Sequence, residues 1–106
     1  MAEIRNRFIH HVFFWLKEPG NKSAEEELLR RLKKLSKVGT IKDFHIGKPA
    51  ATTRDVIERS YSISWCLFFD SAKDQDSYQV DPIHLEFVKE CSHLWSKVVV
   101  HDTIDA

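Results

Sequence analysis

Tyr78 and His84 are the pair of residues in this sequence best suited to proton transfer. An imidazole titrates near neutral pH and can act as a general base, while a tyrosine hydroxyl can hydrogen-bond a carbonyl oxygen or an enolate. Asp81 is a good helix N-cap and Pro82 suits the first helical position. We therefore expect His84 in the first turn of a helix, where the positive end of the helix dipole favours the neutral, basic imidazole.

The same residues allow a second interpretation, in which His84 is a half-buried core histidine and Tyr78 packs with its hydroxyl at the rim. The helix predicted for residues 82–95 carries Phe87, Val88, Cys91 and Trp95 at three- and four-residue steps from His84. His84 points inward with this apolar stripe under both interpretations. The residues alone leave catalyst and core histidine as alternatives.

Length and composition predict one ordinary globular domain, residues 1–106. The 16 basic residues balance the 16 acidic ones, so no net charge favours nucleic acid or a membrane surface as a partner. The apolar run 12–16 is too short for a signal peptide or a membrane span. Cys66 and Cys91 lack the spacing of a disulfide framework, which is typical of a reduced, cytoplasmic protein.

Hydrophobic periodicity predicts an α+β chain. Apolar composition, length and the turn residues that follow predict a strand at residues 8–16, alternation predicts strands at 41–48 and 61–69, and a final strand is expected at 98–104. A capping box from Ser23 to Glu26 opens a long amphipathic helix that stops at Gly39, and Ser71 caps a short helix ending at Gln79. With the helix at 82–95, the main element order is βαββαβ, which predicts a ferredoxin-like sandwich with an antiparallel sheet and helices on one face.

The first strand is apolar on both faces, although helices can cover only one face of the sheet. Phe13, Trp15 and Phe68 would leave an unusually large exposed apolar patch on the other face. We therefore expect a homodimer that pairs two copies through the open sheet face.

A small-molecule cavity is predicted between sheet and helices, because His10 shares its strand face with Phe8, Val12 and Phe14 and can meet His84 there. The alternative for His10 is a buried histidine bonded to a carbonyl group or water. We expect no metal site, since His10 and His11 point to opposite faces, and no cofactor. The residues predicted to line the cavity beside Tyr78 and His84 are His10, Phe8, Val12, Tyr61, Ile63, Trp65, Phe87 and Val88.

Several segments together resemble the stress-responsive A/B barrel (Dabb) family of the dimeric α+β barrel superfamily. They are HHVFFWLK at 10–17, Ser60-Tyr61, YQVDPIH at 78–84 and VVVHD at 98–102. The resemblance implies a dimeric α/β barrel made of two ferredoxin-like subunits. Some relatives bind a cation through backbone carbonyls near the end of the first helix, here residues 35–41.

One characterised plant cyclase of the family closes a linear polyketide into an aromatic ring without an organic cofactor. Its catalytic tyrosine and histidine match Tyr78 and His84, and a pocket histidine on its first strand matches His10. A further pocket histidine of that cyclase is replaced by Ile63 here, and a histidine before the proline by Asp81.

The expected function is a Dabb-type homodimer that binds a small, mostly apolar ligand between sheet and helices. If it is an enzyme, we expect cofactor-independent proton transfer or cyclisation on a carbonyl compound, of the lyase, cyclase or isomerase kind. One alternative is a non-catalytic, stress-related dimeric binding protein. Another, a cofactor-free monooxygenase, depends on fold analogy with the wider superfamily.

Overall fold

One four-stranded antiparallel sheet, covered by helices on one face, makes up the structure. The computed structural model describes residues 1–106. The strands are β1 (Phe8–Leu16), β2 (Ile41–Gly47), β3 (Ile63–Phe69) and β4 (Trp95–Thr103), in the sheet order β2-β3-β1-β4. The helices are α1 (Lys22–Leu35), α2 (Ala72–Val80) and α3 (Pro82–Cys91), with a 3-10 helix at Ser92–Leu94. This βαββααβ arrangement confirms the predicted ferredoxin-like α+β fold.

The hydrophobic core lies between the helices and one face of the sheet. Alternate residues of β1 and β3 point into it, as a strand period of two requires, and the apolar stripe of α1 packs on top of them. The fully buried large side chains that form its centre are Trp65, Tyr78, Phe69, Leu28, Leu32, Leu35, Ile63, Leu67 and Cys91.

The helical layer is held together by charge pairs as well as apolar packing. Arg31 pairs with Glu90, and Lys34 pairs with Glu86 at 3.1 Å, so two bridges link α1 to α3. No helix has the length and apolar character needed to cross a bilayer.

The start of α1 differs from its prediction. Asn21, not Ser23, is the N-cap, and its side chain accepts a hydrogen bond from the backbone N–H of Ala24 at 3.1 Å. The turn at Pro19 and Gly20, where Gly20 has a φ of +85°, delivers the chain to Asn21 in an extended conformation. Ser23 is therefore already inside the helix, and the predicted capping box is wrong.

The end of α3 also differs. The predicted helix 82–95 stops at Cys91, and β4 starts at Trp95, three residues before the predicted strand 98–104. Trp95 pairs with Leu16 of β1, and its ring centroid lies 4.9 Å from that of Phe14. Strand pairing and this aromatic contact therefore outweigh the helical spacing. The predicted start of the helix is confirmed, since the Asp81 side chain accepts from the Ile83 N–H at 2.8 Å.

Candidate functional site

A cavity of about 350 Å³ lies between the sheet and the layer formed by α2 and α3. Its volume falls within the range of small-molecule sites. Nine of its thirteen lining residues are hydrophobic, and none is Lys, Arg, Asp or Glu. The lining therefore suits an uncharged, largely apolar ligand.

Most of the residues predicted to form a site do meet at this cavity. Three do not: Phe8 lines a separate depression beside Asp70 and Ile104, Ile63 is buried in the core without reaching the cavity, and Tyr61 lies on the other face of the sheet. The predicted residues that line the cavity are His10, Val12, Trp65, Tyr78, His84, Phe87 and Val88.

Tyr61 lies on the other face because β3 begins only at Ile63. The chain passes Ser62, whose N–H donates to the Phe14 carbonyl at 2.8 Å, before it joins the regular strand. The alternation of side chains therefore does not extend back to Tyr61, and its ring packs at 5.0 Å from Phe13 on the open face. The predicted cavity role of Tyr61 is wrong for this reason.

Sequence reasoning missed part of the cavity wall. Phe14 was available from the strand period, since it shares a β1 face with His10 and Val12. The β4 residues reach the cavity only because β4 pairs with β1, and the local sequence does not show this pairing. Trp95 was also missed because helical periodicity assigned it to a helix. The lining residues not predicted are Phe14, Gln79, Ser92, Trp95, Val98 and Val100.

Tyr78 is fully buried at the cavity, and Trp65 determines the orientation of its hydroxyl. The Trp65 Nε1–H donates to the Tyr78 hydroxyl at 3.4 Å. An indole N–H can only donate, so the hydroxyl oxygen accepts and its own hydrogen remains free to bond a ligand. Burial raises the pKa of Tyr78 to about 12, so the hydroxyl is protonated at neutral pH.

His84, in the first turn of α3, has a defined tautomer. Its Nδ1 lies 3.1 Å from the Gln79 carbonyl oxygen, which can only accept, so Nδ1 carries the hydrogen and Nε2 of the neutral ring is left to take up a proton. Burial lowers the pKa of His84 and the nearby His10 adds to this, whereas the Gln79 carbonyl and Asp81 act in the opposite direction. The Tyr78 and His84 ring centroids are 4.6 Å apart.

His10 supplies a third polar group from the sheet side of the cavity. It is buried on β1, and its Nδ1 lies 2.6 Å from Oδ1 of Asp102, its cross-strand neighbour on β4. The partner is thus a carboxylate rather than a carbonyl group or water. The Asp102 carboxylate can only accept, so Nδ1 carries the hydrogen of this bond and Nε2 is left to contact a ligand. The His10 and Tyr78 ring centroids are 6.0 Å apart.

Comparison with known proteins identifies the family. The family model for the stress responsive A/B barrel domain (Dabb) matches residues 8–105, which is nearly the whole chain and includes every residue of the cavity. The chain belongs to the Dabb family. The resemblance inferred from the sequence motifs is thereby confirmed. No curated protein matches this Dabb domain.

Solved structures show the same fold at low sequence identity. A Dabb protein from Mesorhizobium loti with a ferredoxin-like fold has a TM-score of 0.79 at 20% identity, covering 94% of this chain and 97% of that one. A dimeric ferredoxin-like protein from Thermobifida fusca has a TM-score of 0.77 at 14% identity, with coverages of 99% and 96%. The hydroxynitrile lyase from Passiflora edulis has a TM-score of 0.78 at 20% identity, with coverages of 97% and 96%. These Dabb-like neighbours share the fold and include a protein described as dimeric.

Proposed function

We propose that this Dabb domain binds a small, mostly apolar carbonyl compound in the cavity and transfers a proton on it without a cofactor. The observation that carries the proposal is the contact of Tyr78 and His84 at one cavity, each with a hydrogen bond that fixes its role. The mostly apolar wall lowers the local polarity around these groups, and a bound apolar ligand would displace water from them, which strengthens hydrogen bonds to a developing negative charge.

The proposed step is the removal of a proton from the carbon next to a carbonyl group. The C–H bond breaks, the proton passes to Nε2 of His84, and the electron pair moves to the carbonyl oxygen, which becomes an enolate. The Tyr78 hydroxyl donates to that oxygen, and His84 later returns the proton to carbon or to oxygen. His10, held by Asp102, offers a further polar contact to the ligand from the sheet side.

The Passiflora neighbour supports a related reaction of the same class. That protein is a hydroxynitrile lyase, and loss of cyanide from a hydroxynitrile requires a base to remove the hydroxyl proton. Because His84 is a base facing an uncharged cavity, such a cleavage would use the same machinery. The non-catalytic alternative is a binding protein in which the cavity only holds its ligand.

We infer further that the working form is a homodimer of two such domains. Ile9, Phe13 and Phe68 are only partly covered on the open face in a single chain, and a second sheet packed against them would bury them. The dimeric description of the Thermobifida fusca neighbour supports this assembly.

Exchange of hydrogen for deuterium in an aromatic ketone tests the proposed reaction. Phenylacetone, which is uncharged and has exchangeable protons beside its carbonyl group, is incubated with the protein in heavy water and followed by proton NMR. We expect faster exchange with wild type than with buffer, and loss of that acceleration in His84→Gln. His93→Gln, which removes an exposed histidine outside the cavity, should behave as wild type.

Binding of phenylacetone is measured separately from its exchange rate, by titrating the ketone into the protein and following the NMR signals. Phenylacetone that binds at the cavity without faster exchange would favour the non-catalytic alternative. A ketone that neither binds nor exchanges would contradict the proposed ligand class. Equal acceleration by wild type and His84→Gln would contradict the role of His84.

A further inference from the structure

The open face of the sheet carries a row of titratable side chains that the cavity does not use. The backbone register places His101 opposite His11, His11 opposite Cys66, and Cys66 opposite His45. Each of the four strands thus contributes one residue at the same level of the sheet. We call His45, Cys66, His11 and His101 the histidine row.

His11, near the centre of the row, is poorly placed to carry a charge. Its ring stacks on Phe13 with 4.3 Å between centroids, and its Nε2 is buried with no hydrogen-bond partner. Burial lowers the pKa of His11, and the neighbouring His101, His45 and His10 lower it further. Protonation of His11 therefore places a positive charge beside other histidines on an apolar surface.

The charged neighbours that shift the pKa of His11 are all histidines, and no carboxylate is among them. The one histidine within hydrogen-bond distance of a carboxylate is His10, on the helix-covered face, beside Asp102. Lys97 lies over the Trp15 ring on the same open face and adds a positive charge. No three of these side chains are grouped in a way that could hold one metal ion. The other titratable groups on or beside the open face are Arg5 and Arg7 of the N-terminal segment, Asp43 of β2, and Glu58 and Tyr61 of the loop before β3.

We propose that the histidine row makes the pairing of two copies pH-dependent, so that the dimer is tight when the three histidines of the row are neutral and weakens as they are protonated. This inference depends on the homodimer through the open face proposed above. In that dimer the two faces cover each other, and a row from each copy lies in the interface. Burial of like charges without partners is costly, so protons bind the separated copies better than the pair. By linkage, acid then favours dissociation.

Sedimentation velocity on the full chain at about pH 8 and about pH 5.5, at constant ionic strength, measures the dimer dissociation constant on either side of histidine titration. We expect the constant to rise by about tenfold or more at the lower pH, the effect of a pKa difference of about one unit for one histidine. The triple variant His11→Gln, His45→Gln and His101→Gln should lose most of this rise. His93→Gln, an exposed histidine on the 3-10 helix, should keep it.

Circular dichroism at both pH values checks that each variant is folded. If the triple variant does not fold, the double variant of the two exposed histidines, His45→Gln and His101→Gln, replaces it and should show a smaller rise than wild type. An unchanged dissociation constant in wild type would overturn the inference while leaving the dimer intact, and so would an equal rise in the row variants. A monomer at both pH values would overturn the proposed dimer together with the inference.

Discussion

At the residue scale, the site depends on which atoms carry hydrogens. Trp65 donates to the Tyr78 oxygen and Gln79 accepts from His84 Nδ1, so a donor and a base remain free for a ligand. Asp102 orients His10 in the same way from the sheet. The polar groups are therefore preorganised by neighbours that belong to the fold.

Tyr78→Phe tests the role of the hydroxyl. We expect exchange on phenylacetone to fall by about 10²–10³, the effect of removing one donor to a developing oxyanion, while ligand binding changes less. Because the Trp65 N–H loses its partner, the free energy of unfolding should fall by about 1 kcal/mol. Kinetics and urea denaturation of the same variant separate the two effects. Undiminished exchange would contradict the proposed contact with the carbonyl oxygen.

His84→Gln tests the lowered pKa through stability. The unfolded imidazole takes up its proton near 6.5, but the folded one does so only at lower pH. Well above pH 6.5 the imidazole is neutral in both the folded and the unfolded state. As the pH falls through 6.5, the unfolded state binds the proton first, so the free energy of unfolding decreases. His11 contributes in the same direction. We therefore expect the wild-type unfolding free energy to decline below pH 6.5 and the decline to be shallower in His84→Gln, as measured by urea denaturation. Identical slopes would show that His84 titrates normally.

At the element scale, the bounds of the helices place the polar groups of the cavity. Asp81 closes α2 with its backbone N–H, which donates to the Tyr78 carbonyl, and opens α3 with its side chain. Tyr78 and His84 thus lie on different helices that meet at one shared residue. The sharp turn between the helices brings the two rings into contact at the cavity.

The N-terminus of α1 offers a direct test of the observed cap. Asn21→Ala should lower the free energy of unfolding by about 1 kcal/mol, because the Ala24 N–H loses its acceptor. Ser23→Ala, at an exposed helical position, should change it by less than about 0.5 kcal/mol. Thermal and urea denaturation measure both variants. A larger decrease in the free energy of unfolding for Ser23→Ala than for Asn21→Ala would contradict the Asn21 cap and favour the Ser23 capping box predicted from the sequence.

At the scale of the whole molecule, the two faces of the sheet form different surfaces, one covered by helices and one open. The covered face holds the core and the cavity, and the open face presents aromatic side chains and the histidine row. β1 contributes to both surfaces, since His10 faces the cavity and His11 faces outward. The alternation of one central strand thus connects a candidate site to a candidate interface.

Phe13→Glu tests the proposed interface. Phe13 contacts Tyr61 and His101 on the open face, and a carboxylate there would lose this aromatic packing and would have to leave water in a face-to-face dimer. We expect a folded monomer by light scattering, with circular dichroism close to that of wild type. Leu85→Glu, at an exposed apolar position of α3, should leave the oligomeric state unchanged. A dimer that persists in Phe13→Glu would place the interface elsewhere.

The sequence by itself determined the local features of this protein. The alternating faces of β1, the amphipathic stripe of α1, the start of α3 at Asp81 and the family motif around Tyr78 and His84 all depend on residues close together in the chain. Such features follow from the periods of strand and helix and from the chemistry of caps. They were sufficient for the ferredoxin-like fold and for most of the predicted cavity residues.

Only the tertiary structure decided what depends on distant residues. Trp95 lies in β4 because it pairs with Leu16 of β1. Tyr61 lies on the open face because it precedes β3, which begins at Ile63. Asp102 meets His10 across 92 positions of sequence, a pairing that strand order alone creates. Contacts of this range come from the packing of whole elements, which no local period encodes. The local sequence therefore indicates the candidate site at Tyr78 and His84, and the packing of the strands adds His10 with its partner Asp102.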